Sequence, residues 1–311
     1  MLAITQDSFG GPEVLKLAEV SRPEPGPAEV LIRVHAIGVN PTDSWHRASG
    51  GLAGGETPIR LGWDVSGVIE AIGPGVTIFQ PGDEVFGLPR HPNPAGTYAQ
   101  YVTSPARHVI RKPSGLTHTE AAALPLAALT AWQALVDTAD LRPGQRVLIH
   151  AAAGGVGHLA VQIAKARGAY VIGTARSAKH DLVLGLGADE VIDYTAVDFT
   201  TVARDIDVVL DTIGGEYGPR SLTTLRPGGI LVSLASPAEA YLAEQARPLG
   251  LRAAFMIVEA DRAGLREIAD LVENGSLRPH IDTVLPLEWA AEAHALGNTG
   301  RTSGKIVLTV D

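Results

Sequence analysis

Arg146-Val-Leu-Ile-His-Ala-Ala-Ala-Gly-Gly-Val-Gly157 is the stretch on which the fold turns. The apolar run 147–149 leads into small residues and then into a helical pattern over 156–166. Set against the dinucleotide fingerprint G-x-G-x-x-G, its key positions fall on Ala152, Gly154 and Gly157. They serve a tight turn, close approach of backbone to a pyrophosphate, and close packing of helix on strand. The helix start then offers unpaired N–H groups and a partial positive charge to phosphates. A further apolar run at 170–174 completes a unit of about thirty residues, the size of a strand–helix–strand crossover. Glycines alone would describe an ordinary turn. The flanking strand and helix make the stretch a nucleotide-binding unit.

The chain of 311 residues predicts two domains and burial of about three quarters of its unfolded surface. Hydrophobic residues make up 45% and charged residues 19%, a globular balance. A formal net charge of −9 argues against a general nucleic-acid binder, which would carry a basic stripe. With no cysteine, disulfides, thiolate zinc sites and cysteine nucleophiles are excluded. The first residues lack the basic and apolar regions of a signal peptide. The apolar stretch 147–164 reads as buried strand plus helix, since it holds His150, His158, Gln162 and three glycines. The expectation is a cytoplasmic enzyme with no membrane partner.

Residues 1 to about 120 read as short strands punctuated by glycine and proline, the pattern of a small barrel. A strand over 29–39 ends in the polar corner Gly38-Val39-Asn40-Pro41-Thr42-Asp43. Thr117-His-Thr-Glu120 fits a capping box, and the expected helix runs from Glu120 to about Asp137 with a kink at Pro125. Beyond Gly144 strands and helices alternate with short loops, which implies a parallel, doubly wound α/β sheet. The tail from about 258, with helices at 262–273 and 287–296 and a strand at 305–310, carries no phosphate-binding feature and is expected to return to the first domain.

The end of the second strand separates NAD from NADP. A carboxylate there takes the ribose 2′-hydroxyl, whereas arginine accommodates a 2′-phosphate. The chain reads Thr174-Ala175-Arg176-Ser177-Ala178-Lys179, with no acid at the strand end. Charge-assisted bonds contribute about 1.5–3 kcal/mol each, so two cations supply roughly a hundredfold or more preference for NADPH. The plainer reading of the same residues is the solvated first turn of the next helix.

These residues resemble the zinc-independent quinone oxidoreductases, the zeta-crystallin-like branch of the medium-chain dehydrogenases/reductases. The likeness runs nearly end to end. It is most specific over Gly144-Gln145, Leu148, Ala152-Ala-Gly-Gly155, Gly157, Gln162 and Lys165. Asn40-Pro41-x-Asp43, Gly62-Trp-Asp64, Gly82-Asp-Glu-Val85 and Gly304-Lys-Ile-Val307 also match. The resemblance implies a GroES-like catalytic domain over 1–121, a Rossmann NADP-binding domain over 122–257, a return segment over 258–311, and an active site in the cleft. Gly154, Gly155, Val156 and Gly157 would hold the pyrophosphate. Arg176, Ser177, Lys179 and Tyr194 would surround the 2′-phosphate of NADPH. Thr130, Thr212, Ser233 and Leu234 would approach the ribose or nicotinamide, and Asn40 would face nicotinamide and substrate. Each has a bland alternative: a strand cap for Tyr194, a core hydroxyl for Thr130, strand-end hydroxyls for Thr212 and Ser233, turn chemistry for Asn40. A homodimer through the Rossmann domain is expected only by analogy.

Zinc relatives carry cysteine at the Asn40 position and histidine at the Trp63 position, and neither ligand is present here. The ten histidines show no metal-site spacing, so the expectation is a metal-free enzyme. Hydride reduction of a quinone or α,β-unsaturated carbonyl leaves a developing oxyanion that needs donors. Asn40 and Asp43 are the candidate catalytic residues, Asn40 as donor and Asp43 as donor's neighbour or anchor of the corner. His46 or Arg47 could polarise the substrate, although a solvent-exposed position is the leading expectation for both. The loop Gly50-Gly-Leu-Ala-Gly-Gly55 lacks the aromatic that relatives place there, which either widens the substrate mouth or leaves Trp45 or Trp63 as a stacking face. The rival readings are an enoyl-thioester or alkenal reductase and a non-catalytic NADPH-binding sensor. Arg176→Ala is expected to raise KM for NADPH far more than for NADH; equal changes in steady-state kinetics would overturn the 2′-phosphate assignment.

Overall fold

A computed structural model of the chain describes residues 1–51 and 59–310. Most of the glycine-rich loop noted above therefore lies outside the described residues. The chain divides into two compact units: Met1–Leu129 with Val258–Glu273 and Arg278–Asp311, and Thr130–Ile257 with Asn274–Leu277.

The first unit opens with the antiparallel pair β1 (Leu2–Thr5) and β2 (Lys16–Glu19). The long β3 (Glu29–Val39) runs into helix α1 (Pro41–Ser49). Strands β4 (Val65–Ile72), β5 (Glu84–Gly87), β6 (Tyr101–Pro105) and β7 (Val109–Arg111) follow, then helices α2 (His118–Ala122) and α3 (Pro125–Trp132). Helix α1 occupies the segment read from sequence as a polar corner. Asn40 in extended conformation, Pro41 at the first helical position and Asp43 two residues on make a strong helix start. The single kinked helix expected over 120–137 is instead α2, a break at Ala123-Leu124, α3, and a π-type turn over Gln133–Thr138. The physical reason is Pro125: it opens a new helix, where its missing N–H costs nothing.

The second unit holds β8 (Arg146–Ile149), α4 (Gly157–Ala166), β9 (Tyr170–Thr174), α5 (His180–Gly185), β10 (Glu190–Ile192) and α6 (Phe199–Val202). It continues through β11 (Ile206–Asp211), α7 (Tyr217–Leu222), β12 (Leu225–Ser233), α8 (Leu242–Ala246) and β13 (Arg252–Phe255). The six strands are all parallel in the order β10-β9-β8-β11-β12-β13, a doubly wound α/β sheet. Every residue of β11 is buried, as a strand covered on both faces requires. Leu148, Ile172, Val209 and Leu231 join Phe199 and Leu222 in one core.

The tail returns to the first unit with α9 (Arg262–Glu273), β14 (Ile281–Pro286), α10 (Ala290–Asn298) and β15 (Lys305–Thr309). The resulting seven-stranded sheet runs β14-β15-β3-β4-β5-β7, with β6 also paired to β3. All its pairings are antiparallel except β14 with β15. Val30, Ile32, Val34 and Ile37 of β3 pack with Ile306 and Leu308 of β15 in its core. Among the described residues no helix is long and apolar enough to cross a membrane.

One local adjustment explains how alanine can stand first in the fingerprint. A Cβ added at Gly173 would fall 2.7 Å from the Ala152 Cβ and 3.0 Å from Val183 Cγ1. The methyl that Ala152 brings is accommodated because β9 has none opposite it. Gly173→Ala is therefore expected to cost about 1–3 kcal/mol by overpacking. Adding Ala152→Gly should restore most of that loss in urea unfolding, and a double variant no better than the single one would refute the pairing.

Candidate functional site

In the second unit the fingerprint turn is held by the end of β9. Ala151 N and Ala152 N donate to Thr174 Oγ1 (3.2 Å) and Thr174 O (3.0 Å), and Gly154 N closes on Ala151 O (2.8 Å). Ala151 adopts φ +48, a left-handed conformation uncommon for alanine. A Cβ at Gly157 would lie 2.2 Å from Ala151 O and 2.8 Å from Ala152 Cα, so only glycine lets α4 start against this turn. His158 N and Leu159 N bond Gly154 O and Val156 O, and α4 starts at Gly157 with Val156 as its N-cap, so the N–H groups of Val156 and Gly157 stand at the helix start, where donors face an anion. The geometry fits a pyrophosphate.

Of the other residues expected to line a dinucleotide, Arg176, Tyr194, Thr212, Ser233 and Leu234 lie at or just past the carboxyl ends of β9, β10, β11 and β12. Register places Ile149 beside Gly173 and Leu210, and Asp211 beside Ser233. Thr212 Oγ1 donates to His150 O (3.1 Å), Leu234 N bonds Asp211 O, and Ser233 is fully buried. Arg176 Nε donates to Tyr194 Oη (3.0 Å), which joins two residues eighteen apart in sequence. Ser177 and Lys179 lie in the short turn between Arg176 and α5. Thr130 is buried in α3. Sequence reading did not single out Asp211 or His150. Asp211, buried at the end of β11, accepts Ile213 N and Gly214 N on Oδ1 and leaves Oδ2 unpartnered, and burial pushes its carboxyl up.

His150 is the second. Its ring is fully buried, with Nδ1 3.2 Å from Thr174 Oγ1, Nε2 2.9 Å from Ser221 Oγ, and Phe199 and Tyr217 edge-on. Burial, reinforced by the Arg220 charge, pushes its pKa down to about 3. A neutral imidazole thus braces the residue that holds the fingerprint turn.

In the first unit, the start of α1 is locked by a buried ion pair. Lys305 Nζ lies 3.4 Å from Asp64 Oδ2, bonds Val39 O (3.0 Å) and makes a short contact with Asn40 Oδ1. Asn40 Nδ2 donates to Asp64 Oδ2 (2.9 Å) and Gly38 O (3.3 Å). Asp64 Oδ1 accepts Leu126 N (2.6 Å) in the first turn of α3, a favourable place for a carboxylate. A Cβ at Gly38 would fall 2.4 Å from both Asp64 Oδ2 and Ala122 O. Asn40 was expected to donate to a substrate oxygen. Both its amide hydrogens are instead committed within the protein, and only lone-pair capacity on Oδ1 is spare.

Asp43 Oδ2 accepts Asn40 N (2.7 Å) and Tyr98 Oη (3.3 Å), which anchors the corner; Oδ1 is buried without a partner. Burial, foremost, lifts its pKa to about 7. His46 and Arg47 are not solvent-exposed: they are 2% and 4% accessible, because Asp43, His46 and Arg47 share the inward face of α1. Arg47 Nη1 meets His294 Nδ1 at 2.7 Å, and His294 Nε2 meets Tyr98 Oη at 3.0 Å. Arginine can only donate, so Nδ1 accepts and Nε2 carries the hydrogen. Burial, followed by the Arg47 charge, pushes His294 down to about 3, which keeps it neutral. His46 packs edge-on against Trp63, whose Nε1 donates to Asn93 O. Trp63 is buried and Trp45 is 43% exposed, so of the two only Trp45 presents a face. Among the described residues no group of three His, Asp or Glu could hold a metal ion.

Comparison with known proteins finds relatives over nearly the whole chain. Residues 26–114 match the alcohol dehydrogenase GroES-like domain, and residues 186–308 match the zinc-binding dehydrogenase model. A 2-haloacrylate reductase from Burkholderia sp is 36% identical, covering 96% of each chain. The mouse quinone oxidoreductase is 34% identical over 99% of this chain and 97% of its own. Among solved structures, the quinone oxidoreductase of Coxiella burnetii has TM-score 0.95 and 37% identity over 100% of this chain and 99% of its own. The Escherichia coli quinone oxidoreductase complexed with NADPH has TM-score 0.90 and 27% identity over 99% of this chain and 100% of its own.

Two outcomes follow from the buried groups. Lys305→Met leaves Asp64 charged, buried and unpaired, which is expected to cost about 3–5 kcal/mol in urea unfolding at neutral pH, with much of it recovered by Asp64→Asn in the same chain. Native His294 titrates near 3 and its ordinary value is 6.5, so between these values the unfolded chain binds the extra proton. Stability from this residue is thus full above pH 6.5 and lost as pH falls, at about 1.4 kcal/mol per unit. His294→Gln, which can accept from Arg47 and donate to Tyr98, should remove that acid dependence; parallel pH profiles for the two proteins would refute it.

Proposed function

This chain belongs to the medium-chain dehydrogenase/reductase superfamily, in the group that holds the quinone oxidoreductases, and is an NAD(P)-dependent oxidoreductase; we propose that it uses NADPH to reduce quinones or α,β-unsaturated carbonyls. The observation that carries the cofactor choice is the Arg176–Tyr194 bond beside a strand end that bears no acid of its own. When bound, the nicotinamide supplies the hydride, and the substrate's electron-poor carbon accepts it with two electrons. Gly155, Val156 and Gly157 bind the pyrophosphate through backbone N–H groups. Arg176, Ser177, Lys179 and Tyr194 bind the 2′-phosphate, and Thr130, Thr212, Ser233 and Leu234 border the ribose and nicotinamide. We assign residues 122–257 to this NADP-binding function and 1–121 with 258–311 to substrate handling.

Asn40 and Asp43 act as a fixed floor for the substrate. The amide of Asn40 is clamped by Lys305 on its oxygen and Asp64 on its nitrogen, and Asp43 fixes the backbone N–H of the same residue. With both Asn40 amide hydrogens committed, the proton that completes reduction comes from solvent. Metal-free chemistry is favoured by the residues themselves: asparagine and tryptophan stand where zinc relatives use cysteine and histidine, and the chain has no cysteine. The 2-haloacrylate reductase relative favours electron-poor alkenes as substrates. The open edge of the parallel sheet at β13 favours pairing with a second copy, testable by sedimentation.

The decisive experiment follows NADPH and NADH oxidation across quinones, enones and enoyl thioesters. Turnover of quinones or enones with NADPH at least tenfold above NADH is expected. Preference for thioesters would favour an enoyl reductase, and tight NADPH binding without turnover would make the protein a sensor.

A further inference from the structure

The strand that normally supplies an acid to the adenosine ribose, β9, supplies none, but its neighbour does. β10 runs parallel to β9 with Ile192 beside Thr174, and the next residue is Asp193. Asp193 Oδ2 accepts Ser177 N at 3.1 Å, and Oδ1 accepts Thr195 N (2.9 Å) and Thr195 Oγ1 (2.6 Å). Its neighbour in sequence, Tyr194, accepts the Arg176 Nε hydrogen bond. One short segment, 193–195, therefore grips the 176–177 turn from both sides, with a phenol on the arginine and a carboxylate on the serine backbone.

We propose that Asp193 is a specificity-determining residue that restrains the enzyme's preference for NADPH over NADH. The inference rests on the reading of Arg176, Ser177, Lys179 and Tyr194 as the 2′-phosphate site. Three donors fix the carboxylate, so it cannot swing aside without losing them. The bonds from Thr195, and behind them that from Ser177, hold its carboxyl below the usual range and keep it ionised at neutral pH. Its bond to Ser177 N also occupies a backbone donor that an incoming phosphate would otherwise use. A 2′-phosphate approaching Arg176 thus meets a fixed negative charge on the residue that precedes Tyr194 and holds Ser177 N, whereas a ribose 2′-hydroxyl meets only an acceptor. Arginine attracts the doubly charged group and Asp193 opposes it, so discrimination is set by their difference. The sequence conceals this, because the acid lies 17 residues beyond Arg176.

The test measures binding of adenosine 2′,5′-bisphosphate and 5′-AMP by calorimetry. Asp193→Asn keeps an acceptor for Ser177 N and removes the charge; Asp193→Ser serves if the amide disturbs the turn. Expected is about three- to tenfold tighter binding of the bisphosphate, with 5′-AMP changed less than about twofold, and a gap that narrows from 20 mM to 0.5 M salt by screening. Unchanged bisphosphate affinity in both variants, or equal weakening of both ligands, overturns the proposal and leaves Asp193 a structural tie. Arg176→Ala separates the two readings. If it weakens the bisphosphate selectively while the Asp193 variants do nothing, the 2′-phosphate site stands and the restraint falls. If it leaves the bisphosphate unaffected, the site itself falls.

Discussion

Asp64 and Lys305 are 241 residues apart and both almost fully excluded from water. Neither could be buried without the other, since an unpaired interior charge costs several kcal/mol. Their pairing does more than cancel two charges. Asp64 also caps α3 through Leu126 N, and Lys305 also bonds the last carbonyl of β3 and the Asn40 amide. One ion pair therefore joins the end of β3, the start of α1, the start of α3 and the start of β15. Gly38 has no side chain because the Asp64 carboxylate lies where its Cβ would be.

Around this junction the polar groups are arranged so that few have freedom left. The run Arg47, His294, Tyr98, Asp43 has a single direction of donation, forced by an arginine that cannot accept. Asp43 at the acidic end has one oxygen without a partner, and His46 Nε2 is likewise buried and unpartnered. Such groups are expensive in an interior and uncommon away from functional places. In the second unit His150 plays the corresponding part: a neutral imidazole that stays uncharged so that two hydroxyls stay fixed.

Much of the second unit was legible because its signals are local. The apolar strand, the small turn and the helix start occupy twelve consecutive residues, and the cation-bearing turn follows within twenty-five. The first unit was legible as strands and turns, but α1 was read as a corner, because its inward residues are Asp43, His46 and Arg47 and so present no apolar stripe. Their burial depends on Tyr98 and His294, partners no periodicity announces. The same limit hid Asp193, which meets Ser177 only once β10 lies beside β9. Asn40 was picked out from its motif, but the commitment of its amide to Asp64 and Lys305 depends on strands far apart in the chain.

The first unit's interruption has a consequence for how the molecule is made. Strand β15 completes the sheet by pairing with β3, so the partners of residues 36–39 are residues 306–309. At synthesis rates of about 5–20 residues per second, β3 waits on the order of ten seconds or more for its neighbour. Through that interval the first unit has an open strand edge and Asp64 has no cation. The parallel unit, nearly continuous from Thr130 to Ile257, has no such wait. Such a chain is expected to ripen from its middle outward, and the unfinished barrel edge is where a chaperone would find it.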